Sequence, residues 1–312
     1  MHLDAEIART MALLPVLDFA HPAAVRARMS RFIKLLAVAG LRPMQDPRVE
    51  VQDRLTSSGV PVRVYTPRER RAQPPAIVYF HGGAFVLGDL DFEHPRCLEM
   101  AQQTGAVVIS TDYRLAPEHP FPAPFEDCWA TFTWVTQGAE LDIDPARVSV
   151  AGASAGGALA AAVSLMARDR AVPGPCFQLL LYPVIDDRMT TRSMSAFVDI
   201  PGWNRISSEH MWSHYLGNQR GQVSPYAAPA RAGDLRGLPP AYVMTADLDA
   251  LRDEGIQYAR RLIEAGVPTE LHHYPGTFHG FDTVANAEIA HRARAESYAA
   301  LRKALDLAAS AG

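Results

Sequence analysis

The sequence predicts an α/β fold: a mostly parallel sheet of about eight strands, opened by an antiparallel hairpin and covered by helices on both faces. Three observations lead there. From about residue 76 onward, short apolar runs alternate with helical patterns. Several of those runs are apolar throughout, as strands buried on both faces must be. Two earlier runs alternate with period two, as antiparallel strands with one exposed face do. The chain has 312 residues, 48% hydrophobic and 21% charged, enough for one large domain with a sizeable core and a modest accessory cap.

Taken in order, Ile7, Met11, Leu14 and Leu17 recur at helical spacing. So do Val25, Met29, Phe32, Ile33 and Leu36, with Arg26, Arg28, Arg31 and Lys34 on the other side. Two amphipathic helices follow, read either as a mobile lid or as an arm packed on the domain, with a membrane-surface helix the third choice. Strands are expected at "VEVQDRL", "VPVRVYTP", "AIVYF", "AVVIST", "VSVAG", "FQLLLYPV", "AYVMTA" and "TELHHYP". Helices are expected near 93–104, 125–137, 155–169, 252–265 and 285–308. Between the strand ending near Ile185 and the one starting near Ala241 lie some fifty residues, too many for an ordinary connection. The cap is therefore assigned to 1–47 and roughly 187–228, on a single α/β domain spanning 1–312.

A net charge of −4 offers no footprint for nucleic acid, and no apolar run is long enough to span a membrane. The first twenty residues lack a basic n-region and are broken by Pro15 and Asp18, so no secretory signal is expected. Cys97, Cys128 and Cys176 have no CxxC spacing and read as reduced, mostly buried thiols, which points to the cytoplasm. There is no HExxH, no Cys/His cluster, no GxGxxG and no Walker sequence, so neither a metal nor an organic cofactor is expected.

One stretch carries chemistry. Gly152-Ala153-Ser154-Ala155-Gly156 matches G-x-S-x-G, a pattern that chance supplies in roughly one chain in ten of this length. By itself it fits a serine N-cap after a tight turn equally well. Its setting between a strand and a helix, flanked only by Gly and Ala, suits a sharp turn that exposes a hydroxyl at the carboxyl edge of the sheet. A serine hydroxyl needs a base, and histidine is the usual one. His279 stands on a glycine-flanked loop after the final strand. His272 and His273 lie inside that strand and His291 on the last helix. The orienting carboxylate should follow "AYVMTA", where Asp247, Asp249, Asp253 and Glu254 occur; the last two fall in the next helix, and spacing does not choose between Asp247 and Asp249. Finally, "AIVYF" runs into His81-Gly82-Gly83-Ala84, where side-chain-free residues can turn amides toward a substrate. With the amide of Ala155 these are candidate oxyanion donors.

"FHGGAFVLGD", "DYRLAPEHPFPAPFED", "VSVAGASAGG", "DALRDEG" and "FHGF" resemble, in order, the motifs of hormone-sensitive-lipase-like (bacterial family IV) esterases of the α/β-hydrolase superfamily. The resemblance runs from about residue 50 to the end. It implies an α/β-hydrolase fold with a helical cap, Asp249 as the acid, Gly82, Gly83, Ala84 and Ala155 as oxyanion donors, and short- to medium-chain acyl esters as substrates. Three positions depart from the family pattern: Ala84 for glycine, Ala153 for aspartate and Ala250 for proline. Ala84 is expected to be tolerated because a donor needs glycine only where φ is positive. Ala153 is expected to tune the turn's surroundings and not to abolish catalysis, and Ala250 to leave its loop slightly less rigid. Phe85, Phe197, Trp203, Met211 and Trp212 are expected either to line a hydrophobic pocket or to form cap core. The alternatives are an amidase, lactonase or acyl transferase with the same triad, and a non-catalytic receptor of this fold, which a complete Ser154, Asp249, His279 set disfavours. The outer edge at "TELHHYP" is a candidate homodimer seam.

Overall fold

The computed structural model describes residues 3–13, 17–39, 45–138, 140–219 and 221–310. Eight strands form one sheet: β1 (Val49–Leu55), β2 (Pro61–Pro67), β3 (Ala76–Phe80), β4 (Val107–Thr111), β5 (Val148–Ala153), β6 (Gln178–Leu181), β7 (Ala241–Leu248) and β8 (Thr269–Phe278). Their spatial order is β1–β2–β4–β3–β5–β6–β7–β8. β2 runs antiparallel to β1 and β4, and all other pairs are parallel. The main helices are α1 (Ala5–Leu13), α2 (Pro22–Val38), α3 (His94–Thr104), α4 (Ala123–Gln137), α5 (Ala155–Asp169), α6 (Arg192–Ala196), α7 (Arg205–Leu216), α8 (Arg252–Glu264) and α9 (Glu288–Ser310).

The uniformly apolar strands are covered on both faces, as their composition demands. In β3, Ile77 and Tyr79 face a layer made by α1, α3 and α9, whereas Val78 and Phe80 face one made by α4, α5 and α8. Alternation along a strand sends neighbouring side chains to opposite layers, so one apolar run feeds both cores.

The two N-terminal helices separate. In α1, Ile7 and Met11 pack into the α3/α9 layer, the Asp4 amide donates to the Gly276 carbonyl at 3.0 Å, and the Glu6 carboxylate accepts the Glu288 amide at the start of α9. In α2, Val25 and Ile33 are buried, but Phe32, expected on the apolar face, is half exposed. Leu14 and the side chain of Leu36 lie outside the described residues. The segment 187–228 carries α6 and α7 and meets the N-terminal segment: the Phe19 ring stands edge-on to Trp203 at 5.1 Å, and His214 Nε2 donates to the Phe19 carbonyl.

β8 runs three residues past Pro275, where the sequence pattern ends. It is the outermost strand, so a proline with no N–H costs no ladder bond on its open side. An irregularity lets it continue: Ala246 pairs with Tyr274 and Leu248 with Phe278, so two residues of advance on β7 meet four on β8, with Gly276 at φ +70° inside the bulge. No helix of the described residues is long and apolar enough to cross a membrane.

The tightest joint is between β3 and α5. A methyl added at Gly156 would lie 1.9 Å from the Phe80 carbonyl oxygen, a backbone atom that cannot yield without parting strand from helix. Gly156→Ala should therefore cost about 3 kcal/mol in urea-induced unfolding. Gly174→Ala, whose methyl would meet Ala167 at 3.4 Å, should leave the midpoint nearly unchanged. Equal midpoints for the two variants would contradict this account of the joint.

Candidate active site

The loops that leave β3, β5, β7 and β8 gather at one edge because the strand ends are in register. Phe80 pairs with Gly152, Ala153 with Leu181, and Leu248 with Phe278. The residues that follow immediately are His81, Ser154, Asp249 and His279. Ser154 adopts φ +57°, ψ −117°, a conformation rare for any residue with a side chain. Surrounding bonds hold it there: its amide donates to Leu181, and its carbonyl accepts from Gly157 and Val184 at 3.0 and 3.1 Å. The glycines either side are required by space. A Cβ on Gly152 would come within 2.2 Å of the Gly156 carbonyl oxygen, and one on Gly156 within 1.9 Å of the Phe80 carbonyl oxygen.

His279 Nε2 lies 2.9 Å from Ser154 Oγ, and His279 Nδ1 lies 2.8 Å from Asp249 Oδ2. A carboxylate only accepts, so Nδ1 carries the proton and Nε2 presents its lone pair to the serine hydroxyl. Asp249 is fully buried, and its second oxygen accepts the Leu251 amide at 2.9 Å. Between the two aspartates that spacing alone left open, it is Asp249 that reaches the imidazole. Asp247 turns to the neighbouring strand instead. Its Oδ2 accepts the amide of Gly276, inside the bulge that sets Phe278 opposite Leu248 and hence His279 beside Asp249. His272 bonds to Glu296, His273 to Thr245, and His291 to Arg294, so none of them faces Ser154.

In the loop after β3, Gly83 has φ +119°, and Ala84 and Phe85 both have φ +58°. The expectation that Ala84 sits where φ is negative is therefore wrong; an alanine occupies left-handed backbone, at a cost of about 1 kcal/mol. Two bonds to the Gly83 carbonyl, from Val86 and Leu87, fix the turn. Among the described residues, the amides of Gly82, Gly83 and Ala84 donate to no backbone carbonyl, and Ala155, at the first turn of α5, has no helical acceptor.

His81 braces the loop from below. Its ring stacks on Tyr113 at 4.1 Å, its Nδ1 donates to the Gly82 carbonyl at 2.7 Å, and the Tyr113 hydroxyl donates to the His81 carbonyl. Burial pushes its pKa down to about 4, so it stays neutral at working pH. Arg26 braces the loop from above, donating to the carbonyls of Val86 and Ala116 and pairing with Glu118. Helical spacing put Arg26 among the outward charges of α2; instead its guanidinium turns inward to the two loop carbonyls.

Asp253 and Glu254, which the sequence offered only as helix-start charges, tie the acid loop to its surroundings. Asp253 accepts the Ser193 amide, and Glu254 accepts the amides of Ile185 and Asp186. Ser193 Oγ also donates to the Ala250 carbonyl, restraining the loop where proline is absent. Phe85 stacks on Tyr215 at 3.7 Å, Phe197 lies under Arg252, and Met211 and Trp212 are buried in the same cluster. Trp203 comes within 5.7 Å of the His279 ring.

Two substitutions test the local reading. Ala84→Gly should raise the unfolding free energy by up to about 1 kcal/mol by relieving left-handed alanine. A fall in stability would mean the methyl does useful packing. Ala153 is buried in an apolar layer with Ala151, Leu181 and Tyr182, so Ala153→Asp should cost about 2 kcal/mol or more. The turnover of its folded fraction should stay near that of the parent.

Residues 77–283 match the family described as an alpha/beta hydrolase fold. The chain is 42% identical to the esterase LipI of Mycobacterium tuberculosis over 225 residues, 70% of each chain. It is 39% identical to the carboxylesterase NlhH of the same organism over 269 residues, covering 83% of this chain and 84% of that one. Among solved structures, a bacterial heroin esterase superposes with a TM-score of 0.92 at 42% identity, covering 97% of this chain and 98% of that one. With the sheet order, the strained turn at Ser154 and these relatives in hand, the chain belongs to the α/β-hydrolase family, in its hormone-sensitive-lipase-like branch of carboxylic ester hydrolases.

Proposed function

We propose that this carboxylic ester hydrolase works through Ser154, His279 and Asp249 on small-molecule esters of short- to medium-chain acids. The observation that carries the reading is the hydrogen-bonded line from Asp249 through His279 to Ser154, at 2.8 and 2.9 Å. As Ser154 Oγ attacks the ester carbonyl, its proton passes to His279 Nε2, and Asp249 stabilises the imidazolium formed. In this reading the carbonyl oxygen gains charge facing the amides of Gly82, Gly83, Ala84 and Ala155, each such donor being worth roughly a hundred- to a thousandfold in rate. His279 then protonates the departing alkoxide, leaving Ser154 acylated. Water enters with His279 as base, and the acid leaves as the serine recovers its proton.

Ser154 is only 6% exposed, and in this reading the acyl group enters beside the segment 187–228, which carries Trp203. Trp203 and His279 face one another there, and a wall that close favours small acyl groups. The names of the relatives support esters as the substrate class. The cysteines are all free thiols, in keeping with a cytoplasmic enzyme. β8 ends the sheet with its outer edge unpaired among the described strands, and a homodimer would form along it; light scattering reports the mass directly.

With p-nitrophenyl butyrate, Ser154→Ala and His279→Ala should each lower kcat at least about a thousandfold, and His272→Ala should not. Asp249→Asn should cost far more in kcat than Asp247→Asn. Turnover surviving in Ser154→Ala would end the serine mechanism. In an acyl panel, the butyrate ester should exceed the dodecanoate in kcat/KM, and the corresponding anilides should be poor substrates.

A further inference from the structure

Behind His279 lies a group of charges that ester cleavage by the triad does not use. Arg96, in the first turn of α3, is buried with Glu93 and Asp282. Its Nε donates to Glu93 at 2.7 Å, its Nη1 to Asp282 Oδ2 at 2.6 Å, and its Nη2 to the Tyr182 hydroxyl at 3.3 Å. Tyr182 donates in turn to Asp282 Oδ1 at 2.7 Å, and Arg294 from α9 donates to the Asp282 carbonyl. Burial opposes ionisation of Asp282, but Arg96 and the Tyr182 hydroxyl more than offset it and hold the carboxyl below its usual range.

Such a group is a poor source of stability. Desolvating its charges costs about as much as their attraction returns, and apolar residues of similar volume usually do as well. What it does supply is a single geometry, and two of its members, Asp282 and Tyr182, lead to the site. Asp282 lies three residues beyond His279, in the turn that follows β8. The Tyr182 ring packs edge-on against the imidazole at 4.7 Å. Tyr182 itself stands at φ +36°, between Leu181, whose carbonyl takes the Ser154 amide, and Val184, whose amide meets the Ser154 carbonyl.

We propose that Arg96, acting through Asp282 and Tyr182, is the positioning residue of the base, setting the His279 loop and ring against Ser154. This rests on His279 being the base. Arg96 touches neither substrate nor reacting atoms, and its effect is on the fraction of time that Nε2 faces Oγ. The prediction is a loss in kcat and in the rate of serine modification, with substrate binding left alone.

The test uses the full chain. Tyr182→Phe keeps the ring and loses the hydroxyl, Asp282→Asn keeps the shape and loses the charge, and Arg96→Lys keeps the charge and loses the fork. Each is measured for kcat and KM on p-nitrophenyl butyrate. Each is also measured for the burst of p-nitrophenolate released when diethyl p-nitrophenyl phosphate phosphorylates Ser154. In that step Oγ bonds to phosphorus, its proton goes to His279 and p-nitrophenolate leaves. We expect Tyr182→Phe and Asp282→Asn to lose about tenfold in kcat and in the burst rate constant, with KM changed less than about twofold. Arg96→Lys should recover part of what Arg96→Gln loses. A merely structural role would lower the burst amplitude, which counts folded sites, and leave its rate constant intact. That result, or parental kcat in folded Tyr182→Phe and Asp282→Asn, overturns the inference. His279→Ala run alongside separates the two failures: if it retains turnover, the base is misassigned; if it is inactive while the other variants are normal, only the role of Arg96 falls.

Discussion

Everything at this site depends on how closely β3 and α5 approach across the end of β5. Gly156 lies against the Phe80 carbonyl, and Gly152 against Gly156, with no room for a side chain on either. That closeness lets the chain reverse within one residue, and Ser154 absorbs the reversal at φ +57°. It also brings Gly82 against the Ala153 carbonyl, so the loop after β3 rests on the serine's own turn. Ser154 and the free amides of the loop after β3, on different strands, thus share one rigid joint, the kind of precise placement that the proposed chemistry requires. The left-handed Ala84 shows that the loop's path is imposed by this joint and by His81 beneath it, not by the preference of the residue there.

The second half of the site is a matter of register. A two-residue excess on β8 advances His279 along the edge until it stands beside Asp249, each directly after a paired residue. The bulge is held from β7 by Asp247 and from α1 by the Asp4 amide on the Gly276 carbonyl. Asp247 thus secures the register within which Asp249 works, and the two aspartates divide the labour of orienting one histidine. Behind them, the buried Arg96 group joins α3, the Tyr182 segment and the turn after His279. His279, through the Tyr182 ring against it, is backed by the α3/α9 layer, whereas Ser154 stands at the start of α5 in the opposite layer. The two side chains meet where the layers come together at the sheet edge.

Helix α2 shows how packing overrides helical spacing. Arg26 and Phe32 sit on it in a pattern that reads as charges out and apolar residues in, yet Arg26 turns in to the loop after β3 and Phe32 is half exposed. A guanidinium carries several donors on a long apolar stem, so it can satisfy loop carbonyls that a helix pattern does not represent.

Much of this was legible in the residues alone. Apolar runs such as "AIVYF" and "VSVAG" announce strands buried on both faces, and the small residues around Ser154 announce a turn with no space to spare. The order of serine, acid and histidine along the chain pointed to three side chains that meet within hydrogen-bond distance in the fold, because each requirement calls for a residue type at a loop after a strand. Strand-by-strand spacing did not distinguish Asp249 from Asp247, and no local signal marked the bulge past Pro275, the sign of φ at Ala84 or the inward turn of Arg26. Nor did anything in "EHPRCLEM" announce that Arg96 would be buried beside Asp282, 186 positions away. A sequence by itself determines which groups are available and on what kind of element, since propensity and periodicity are local. Which carboxylate meets which imidazole is decided only in the tertiary structure, where register, bulges and buried charges bring distant residues within a hydrogen bond of each other.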